Sequence, residues 1–229
     1  MKDAFELWDS FLIAFTALLP IINPIGSSLV FLGLAGDIPT RSYRILARRI
    51  AINNIVFLAI IELVGTAILR FFGISLPIVQ VAGGIVIAAM GWSVLNEKDS
   101  AVPALDKREQ TQLSPDASVR ALEQKAFYPF TFPVTSGPGT LVVTLTLAAR
   151  AENGGLVLNA LRHGALFLAV VVISALVYLC YANAPRLARA IPAATAHGIL
   201  RVIAFILLCI GVQIAWNGFA ALLPTLLAR

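Results

Sequence analysis

The sequence predicts an all-α, polytopic membrane protein with six transmembrane helices, and three observations support this fold class. Of its 229 residues, 59% are hydrophobic and only 13% are charged. The mean hydropathy is +0.89, which lies outside the range of water-soluble domains. The charged residues also collect in short segments between long apolar stretches. This distribution excludes a soluble domain.

Six apolar runs are long enough to form transmembrane helices, which need about 20 residues to cross a hydrocarbon layer of about 30 Å. In chain order they cover residues 10–36, 50–69, 71–96, 126–149, 163–185 and 202–228. Glu62 is the only Asp, Glu, Lys or Arg within them. The first run has full membrane length and follows mainly acidic residues, so we expect no cleaved signal peptide.

The basic residues predict the orientation of these helices, because Lys and Arg are retained on the cytoplasmic side. Twelve of the 17 lie in the segments that follow the first, third and fifth helices. The other five lie on the opposite side, so we expect both termini to face outward. Residues 97–125 contain two prolines and mixed charges, which predicts a solvated cytoplasmic linker. A regulatory docking segment is the alternative.

The linker divides the chain into two three-helix halves, residues 1–96 and 126–229. An odd number of helices in each half requires that the second half insert upside down relative to the first. A shift of 109 residues superposes Pro20 and Pro24 on Pro129 and Pro133, and a shift of 120 residues superposes 84–91 on 204–211. These matches predict two inverted repeats in which the first helix of each repeat is broken at Pro and Gly.

The breaks predict a binding site. A proline inside a helix removes a hydrogen bond, and irregular backbone at membrane depth is tolerated only where protein buries it or a watery cavity touches it. The half-helix after each break presents N–H groups that suit a carboxylate, and glycine lets a ligand approach the backbone. Kinks that serve only packing are the alternative. The predicted substrate-binding residues are Asn23, Pro24, Gly26, Ser27, Thr135, Ser136, Gly137, Pro138, Gly139 and Thr140.

Four stretches of the chain, at 19–26, 72–84, 133–140 and 211–214, resemble the MarC family of bacterial integral membrane proteins. The likeness covers nearly the whole chain, and its NPIG and GPGT elements are specific. The resemblance implies an inner-membrane protein that transports small neutral amino acids such as glycine and alanine, and a relation to the LysE group of exporters. A zwitterion suits the predicted site, because N–H groups would bind its carboxylate while carbonyl and side-chain oxygens would bind its ammonium group.

Several polar groups lie inside the predicted helices. An acid at the bilayer centre costs at least about 2.5 kcal/mol, so Glu62 needs a partner or a function. A proton-coupling site is the functional hypothesis, and an acid hydrogen-bonded within the bundle is the alternative. We interpret His163 and His197 as interfacial side chains. Asn53 and Asn54 are predicted to hydrogen-bond neighbouring helices.

Small residues on the third and sixth helices predict close helix packing. Gly84 and Gly211 are each followed by alanine four residues later, so each helix presents two small side chains on one face. Helices that meet through such faces approach each other closely. We therefore expect these residues to serve close helix packing, and contact with the substrate is the alternative.

The sequence lacks the motifs of several other classes of protein, and this argues against those functions. The sequence has no nucleotide-binding, zinc-protease or nucleophilic-triad motif, so we expect neither an enzyme nor a cofactor or metal. It has no arginine-rich face for nucleic acid. The expected partners are a small-molecule substrate, the lipid bilayer, and a proton or sodium ion for coupling, with a homo-oligomer left open. A transporter working by alternating access is favoured over a carrier of another solute or drug and over a non-transporting scaffold.

Overall fold

The computed structural model describes residues 2–36, 38–96, 122–152, 155–190 and 193–227, and within these ranges its regular elements are all helices. The predicted all-helical class is therefore confirmed for this part of the chain. The helices are α1 Lys2–Ile22, α2 Pro24–Ala35, α3 Thr40–Phe71, α4 Leu76–Asn96, α5 Ala126–Thr135, α6 Pro138–Ala151, α7 Leu156–Ala182, α8 Ala184–Ala190 and α9 Ala193–Leu227.

The described residues contain five helical stretches that are long and apolar enough to cross a membrane. They are Phe5–Ala35, Thr40–Phe71, Leu76–Asn96, Leu156–Ala182 and Arg201–Pro224. Helices α5 and α6 meet at an angle of 72°, and they give a sixth span if the bent pair is counted as one. The second span begins ten residues earlier than predicted, because the helix continues through the arginine-rich segment before the apolar run.

The core is organised around α7, which packs against α1, α2 and α3. Its fully buried side chains recur at intervals of three and four residues, which places them on one helix face. These include Ala165, Ala169, Ile173 and Val177. Large apolar side chains such as Trp92 and Trp216 cover the outside of the bundle instead, and this distribution suits a protein surrounded by lipid.

Helices α4 and α9 pack closely through glycines. A methyl group added at Gly84 would lie 2.6 Å from the carbonyl oxygen of Gly211, and one added at Gly211 would lie 2.7 Å from the carbonyl oxygen of Gly84. Gly91 faces Ala204 in the same way. Residue numbers therefore rise along α4 while they fall along α9, so the helices are antiparallel. The predicted packing through Gly84 and Gly211 is confirmed.

Most of the predicted linker, residues 97–121, lies outside the described residues. The description resumes at Leu122, and Glu123 is then joined to the N-terminal part of α3. The Nη2 atom of Arg49 lies 2.8 Å from Glu123 Oε2. This ion pair connects the first half of the chain to the beginning of the second.

Candidate functional site

The first break lies at Asn23, between α1 and α2. Its backbone is left-handed, with a φ of 44°, a conformation that asparagine adopts more readily than most residues. Pro24 then begins α2, where a missing N–H costs no helical hydrogen bond. Asn23 Oδ1 accepts a hydrogen bond from the Gly26 N–H at 3.1 Å, and Ser27 Oγ donates to the Asn23 carbonyl at 2.9 Å. The first break is therefore a capped helix start whose polar groups satisfy one another.

The second break is more severe. Helix α5 is widened to the π type, and Tyr128 and Phe132 within it have extended backbone. Each of these residues precedes a proline, Pro129 or Pro133, and proline disfavours helical backbone in the residue before it. The chain is thus stretched twice within ten residues before it turns by 72° into α6.

Two threonine hydroxyls hold this widened helix together. Thr131 Oγ1 donates to the carbonyl of Ala126 at 2.8 Å, and Thr135 Oγ1 donates to the carbonyl of Phe130 at 2.7 Å. Both bonds reach back five residues, the spacing of a π-helix. They add side-chain bonds to a segment in which Pro129 and Pro133 supply no N–H donor. The Thr135 hydroxyl, predicted as a substrate ligand, thus already has a backbone partner.

Helix α6 begins without a side-chain cap. Its N-cap residue is Gly137, and Pro138 at the first helical position is exposed. Thr140, in the first turn, is completely buried. Its Oγ1 has no hydrogen-bond partner among the described residues. The start of α6 therefore combines an uncapped helix end with an unsatisfied hydroxyl.

Gly139 brings the two breaks together. A methyl group added there would lie 2.7 Å from Ile87 Cγ1 and 3.4 Å from Ile21 Cγ2. Ile21 precedes the first break by two residues, so α6 begins directly beside the end of α1. The space beside Gly139 is filled by Ile87. Gly139, predicted as a substrate-binding residue, is therefore packed against Ile87 of α4 in this structure.

Three buried polar side chains join α3, α7 and the second break. Ser136 Oγ donates to Asn54 Oδ1 at 2.6 Å, and Asn54 Nδ2 donates to Ser174 Oγ at 3.0 Å. All three residues are completely buried. The interhelical hydrogen bonding predicted for Asn54 is confirmed. The predicted ligand Ser136 is therefore fixed in position by α3.

Tyr181 joins the two breaks from the opposite side. Its hydroxyl lies 2.9 Å from Thr135 Oγ1. Because the Thr135 hydroxyl already donates to a backbone carbonyl, Tyr181 is the donor in this bond. The ring of Tyr181 also stacks on the ring of Phe31 in α2. One tyrosine on α7 thus contacts both broken spans.

Aromatic rings pack below this tyrosine. The ring of Phe31 stacks on that of Tyr181 with centroids 4.5 Å apart, and meets the edges of Phe130 at 5.4 Å and Tyr43 at 6.0 Å. The Tyr43 hydroxyl donates to the carbonyl of Gly36. All four rings are buried. We call Phe31, Tyr43, Phe130 and Tyr181 the aromatic cluster.

The predicted site residues thus gather around one region, with different surroundings. The hydrogen-bonding side chains of Asn23, Ser27, Thr135 and Ser136 all have protein partners, and Pro138 points outward. Thr140 alone among the predicted threonines and serines keeps a free hydroxyl. Sequence reasoning missed Tyr181, which lies in an otherwise apolar run and gives no local signal.

Glu62 has a partner that the sequence did not reveal. Its Oε1 atom lies 3.1 Å from His163 Nδ1 on α7, and its side chain is 2% exposed against 25% for the histidine. Glu62 Oε2 is buried without a partner. His163, interpreted from the sequence as an interfacial side chain, is thus also a partner of Glu62, and the side chain of His197 lies outside the described residues. Within the described residues, no cluster of three or more His, Cys, Asp or Glu could hold a metal ion.

The apolar exterior, the candidate spans and the buried broken helices define an integral membrane protein with a polar centre. The profile of MarC family integral membrane proteins matches residues 8–223. The chain belongs to the MarC family.

Similarity to individual relatives spans the full chain length. Inner membrane proteins named MarC from Salmonella paratyphi A and Salmonella typhimurium are each 27% identical over 226 residues, covering 96% of this chain and 98% of the relative. The MarC protein of Escherichia coli O1:K1 is 24% identical over 223 residues with the same coverage. No solved structure matches the chain.

Proposed function

We propose that the chain is a secondary transporter of small neutral amino acids such as glycine or alanine, in uptake or export. The observation that carries this proposal is the buried, unpartnered hydroxyl of Thr140 in the first turn of α6. A buried hydroxyl without a partner lowers stability, and at the uncapped start of α6 a ligand that accepts its hydrogen bond would offset that cost. The amino-acid class rests on the resemblance to the MarC family.

The chemistry of the region suits a zwitterion. The uncapped start of α6 offers partial positive charge to a carboxylate, with Thr140 as a further donor. Asn23 Oδ1 at the first break accepts one hydrogen bond from the protein and has a second lone pair available for the ammonium group. Ile87 packs against Gly139 and limits the space for a substrate side chain. These features favour a small amino acid over a large one.

The contacts of α4 and α9 support the inverted repeat. If 127 is added to the residue numbers in α4 and subtracted from those in α9, the contacts of these glycines with the facing backbone convert into one another. The matched pairs are Gly84 on Gly211 with Gly211 on Gly84, Gly84 on Ala215 with Gly211 on Ala88, and Gly91 on Ala204 with Gly218 on Pro77. Reciprocal contacts of this kind are expected around a twofold axis. For these helices the shift of 127 residues replaces the 120 suggested by sequence.

The aromatic cluster supports alternating access. The cluster lies between the candidate site and one end of the bundle. At that end α2 leads to the arginine-rich start of α3, and the linker leads into α5. With both termini outward, this is the cytoplasmic side, so the described conformation is closed toward the cytoplasm. Tyr181 contacts both broken spans in that conformation, through its hydroxyl bond to Thr135 and its ring contact with Phe31. Opening requires that its bond to Thr135 break.

The location follows from the relatives. Proteins named as inner membrane proteins match the chain over its whole length, and we place this chain in the bacterial inner membrane. As a secondary transporter it would make and break no covalent bond. It would depend on an ion or substrate gradient.

The test is transport in proteoliposomes made from the purified native protein. Radiolabelled glycine and alanine should enter in exchange for internal unlabelled substrate with saturable kinetics. A tenfold excess of unlabelled glycine or alanine should compete, whereas leucine, lysine and glutamate should not. Exchange of another solute, found in a wider screen, would reject the amino-acid class. Folded protein that exchanges no solute would reject transport and favour the scaffold.

A further inference from the structure

We propose that Glu62 and His163 together form the proton-binding site that couples transport to a pH gradient. This inference rests on the proposed transport function and assigns its driving ion. It begins from a pairing across 101 residues of sequence, in which Glu62 Oε1 lies 3.1 Å from His163 Nδ1. The two residues belong to α3 and α7, the helices that also carry Asn54 and Ser174.

The pair is built to hold one proton. With a single proton between Oε1 and Nδ1 the pair is neutral overall, whether the proton resides on the carboxyl or on the imidazole. Loss of that proton to water leaves a carboxylate whose Oε2 atom is buried and has no donor among the described residues. An unpaired buried charge is strongly destabilising. The unloaded pair therefore requires a different arrangement of α3 and α7, which is the property that coupling demands.

In this proposal the proton reaches the pair through His163. His163 is 25% exposed, whereas the Glu62 side chain is 2% exposed, so we expect exchange to proceed through the imidazole. Among the described residues, the charged groups near this end are Arg70 on α3, Arg150 on α6, Glu152 just after α6 and Arg162 on α7, and in the predicted topology Glu6 and Asp9 on α1 lie at the same end. Arg70 Nη2 already pairs with Glu152 Oε2 at 2.7 Å. Among the described residues, His163 is the group that forms an ion pair with Glu62. In the predicted topology this end faces outward.

The same two helices connect the pair to the candidate substrate site. Asn54 lies eight residues before Glu62, about 12 Å along α3, and Ser174 lies eleven residues after His163, about 16 Å along α7. Asn54 bonds both Ser174 and Ser136. A shift of α3 against α7 on proton loss therefore changes the position of Ser136 at the second break. Proton binding and substrate binding would then both depend on the relative position of α3 and α7.

The chemistry favours a proton over sodium. Hard cations take several oxygen ligands, whereas this pair offers one unpartnered carboxylate oxygen and an imidazole. Histidine is the side chain that changes charge near neutral pH. The chemistry of the pair therefore suits a proton better than sodium, which needs several oxygen ligands.

The experiment separates coupling from transport. Proteoliposomes containing native protein, Glu62→Gln, His163→Asn and the control Glu152→Gln would be assayed for glycine and alanine exchange at equal pH, then for accumulation driven by an imposed pH gradient. We expect exchange within about twofold of native in the control Glu152→Gln, and measurable exchange at equal pH in Glu62→Gln and His163→Asn. Gradient-driven accumulation, up to about tenfold per pH unit for one proton per substrate, should be lost in Glu62→Gln, strongly reduced in His163→Asn, and kept in Glu152→Gln.

Each result has a defined meaning. Persistent gradient-driven accumulation in Glu62→Gln overturns the inference, as does native accumulation that follows a sodium gradient and ignores pH. Native protein that exchanges no substrate rejects the proposed function instead. In that case infrared spectroscopy of the purified protein still tests the pair: a protonated-carboxyl band that titrates and disappears in Glu62→Gln supports proton binding, and its absence overturns it.

Discussion

Replacing Thr140 with valine separates a structural hydroxyl from a ligand-binding one. Valine has nearly the same shape as threonine, so the change removes the hydroxyl without creating a cavity. In the unliganded protein this hydroxyl is completely buried and unpartnered, and an unsatisfied group of this kind costs about 1–3 kcal/mol. We therefore expect Thr140→Val to stabilise the unliganded protein by about 1 kcal/mol, or about 2–4 °C in melting temperature for a chain of this size.

Substrate binding should change in the opposite direction. A hydrogen bond to a charged group contributes about 1.5–3 kcal/mol, so its loss should weaken glycine binding by about 10- to 100-fold. The assay is thermal denaturation in detergent with and without glycine or alanine, since a ligand that binds the folded state raises its melting temperature. Exchange in proteoliposomes gives the matching increase in KM. Native protein should show the larger ligand-induced shift.

Thr146 supplies a matched control on the same helix. Its hydroxyl is also buried and unpartnered, but it lies six residues beyond Thr140, about 9 Å along α6. Thr146→Val should stabilise the protein as Thr140→Val does and leave the KM within about twofold of native. The reasoning is refuted if Thr140→Val lowers the melting temperature, or if a folded Thr140→Val protein binds and exchanges substrate like the native one.

Three further predictions concern the surrounding framework. Tyr181→Phe should cost about 1 kcal/mol of stability, because it removes one buried hydrogen bond, and denaturation without a measurable change would show that the bond to Thr135 contributes nothing. Asn54→Leu leaves two serine hydroxyls unpaired and should cost about 2–4 kcal/mol; thermal melts check this, and a neutral result contradicts the polar network. Gly84→Ala and Gly211→Ala should each cost about 1–3 kcal/mol by forcing α4 and α9 apart. Losses that differ by more than about 1 kcal/mol in calorimetry would argue against the twofold relation.

Hydropathy predicted the spans because the membrane imposes one length and one composition on every helix that crosses it. The breaks were predictable for a similar reason, since Pro24 and Pro133 act on their own backbone wherever they lie. The widening of α5 was not predictable. It depends on the hydroxyls of Thr131 and Thr135 bonding carbonyls five residues back, and threonine in a helix equally often bonds at other spacings.

The sequence did not predict which residues would be the partners of the buried polar side chains. The sequence indicated that Glu62 needs a partner or a function, because an isolated acid in an apolar span is costly. His163 was an available one, but nothing local links residues 101 positions apart. Tyr181 gave no signal, since a tyrosine in an apolar helix is common. Its importance comes from the helices that surround it, and that is tertiary information.

The two breaks differ in structure, and these differences bear on the mechanism more directly than the similarities do. At the first break Asn23 caps α2 and the chain continues as one span, so the side chains of Asn23 and Ser27 at this break have partners within the protein. At the second break the chain turns by 72° into an uncapped α6 with a free Thr140 hydroxyl. Under the proposed mechanism the carboxylate therefore binds α6. On binding, the second break would change its hydrogen-bond partners, while the capped first break would keep its own.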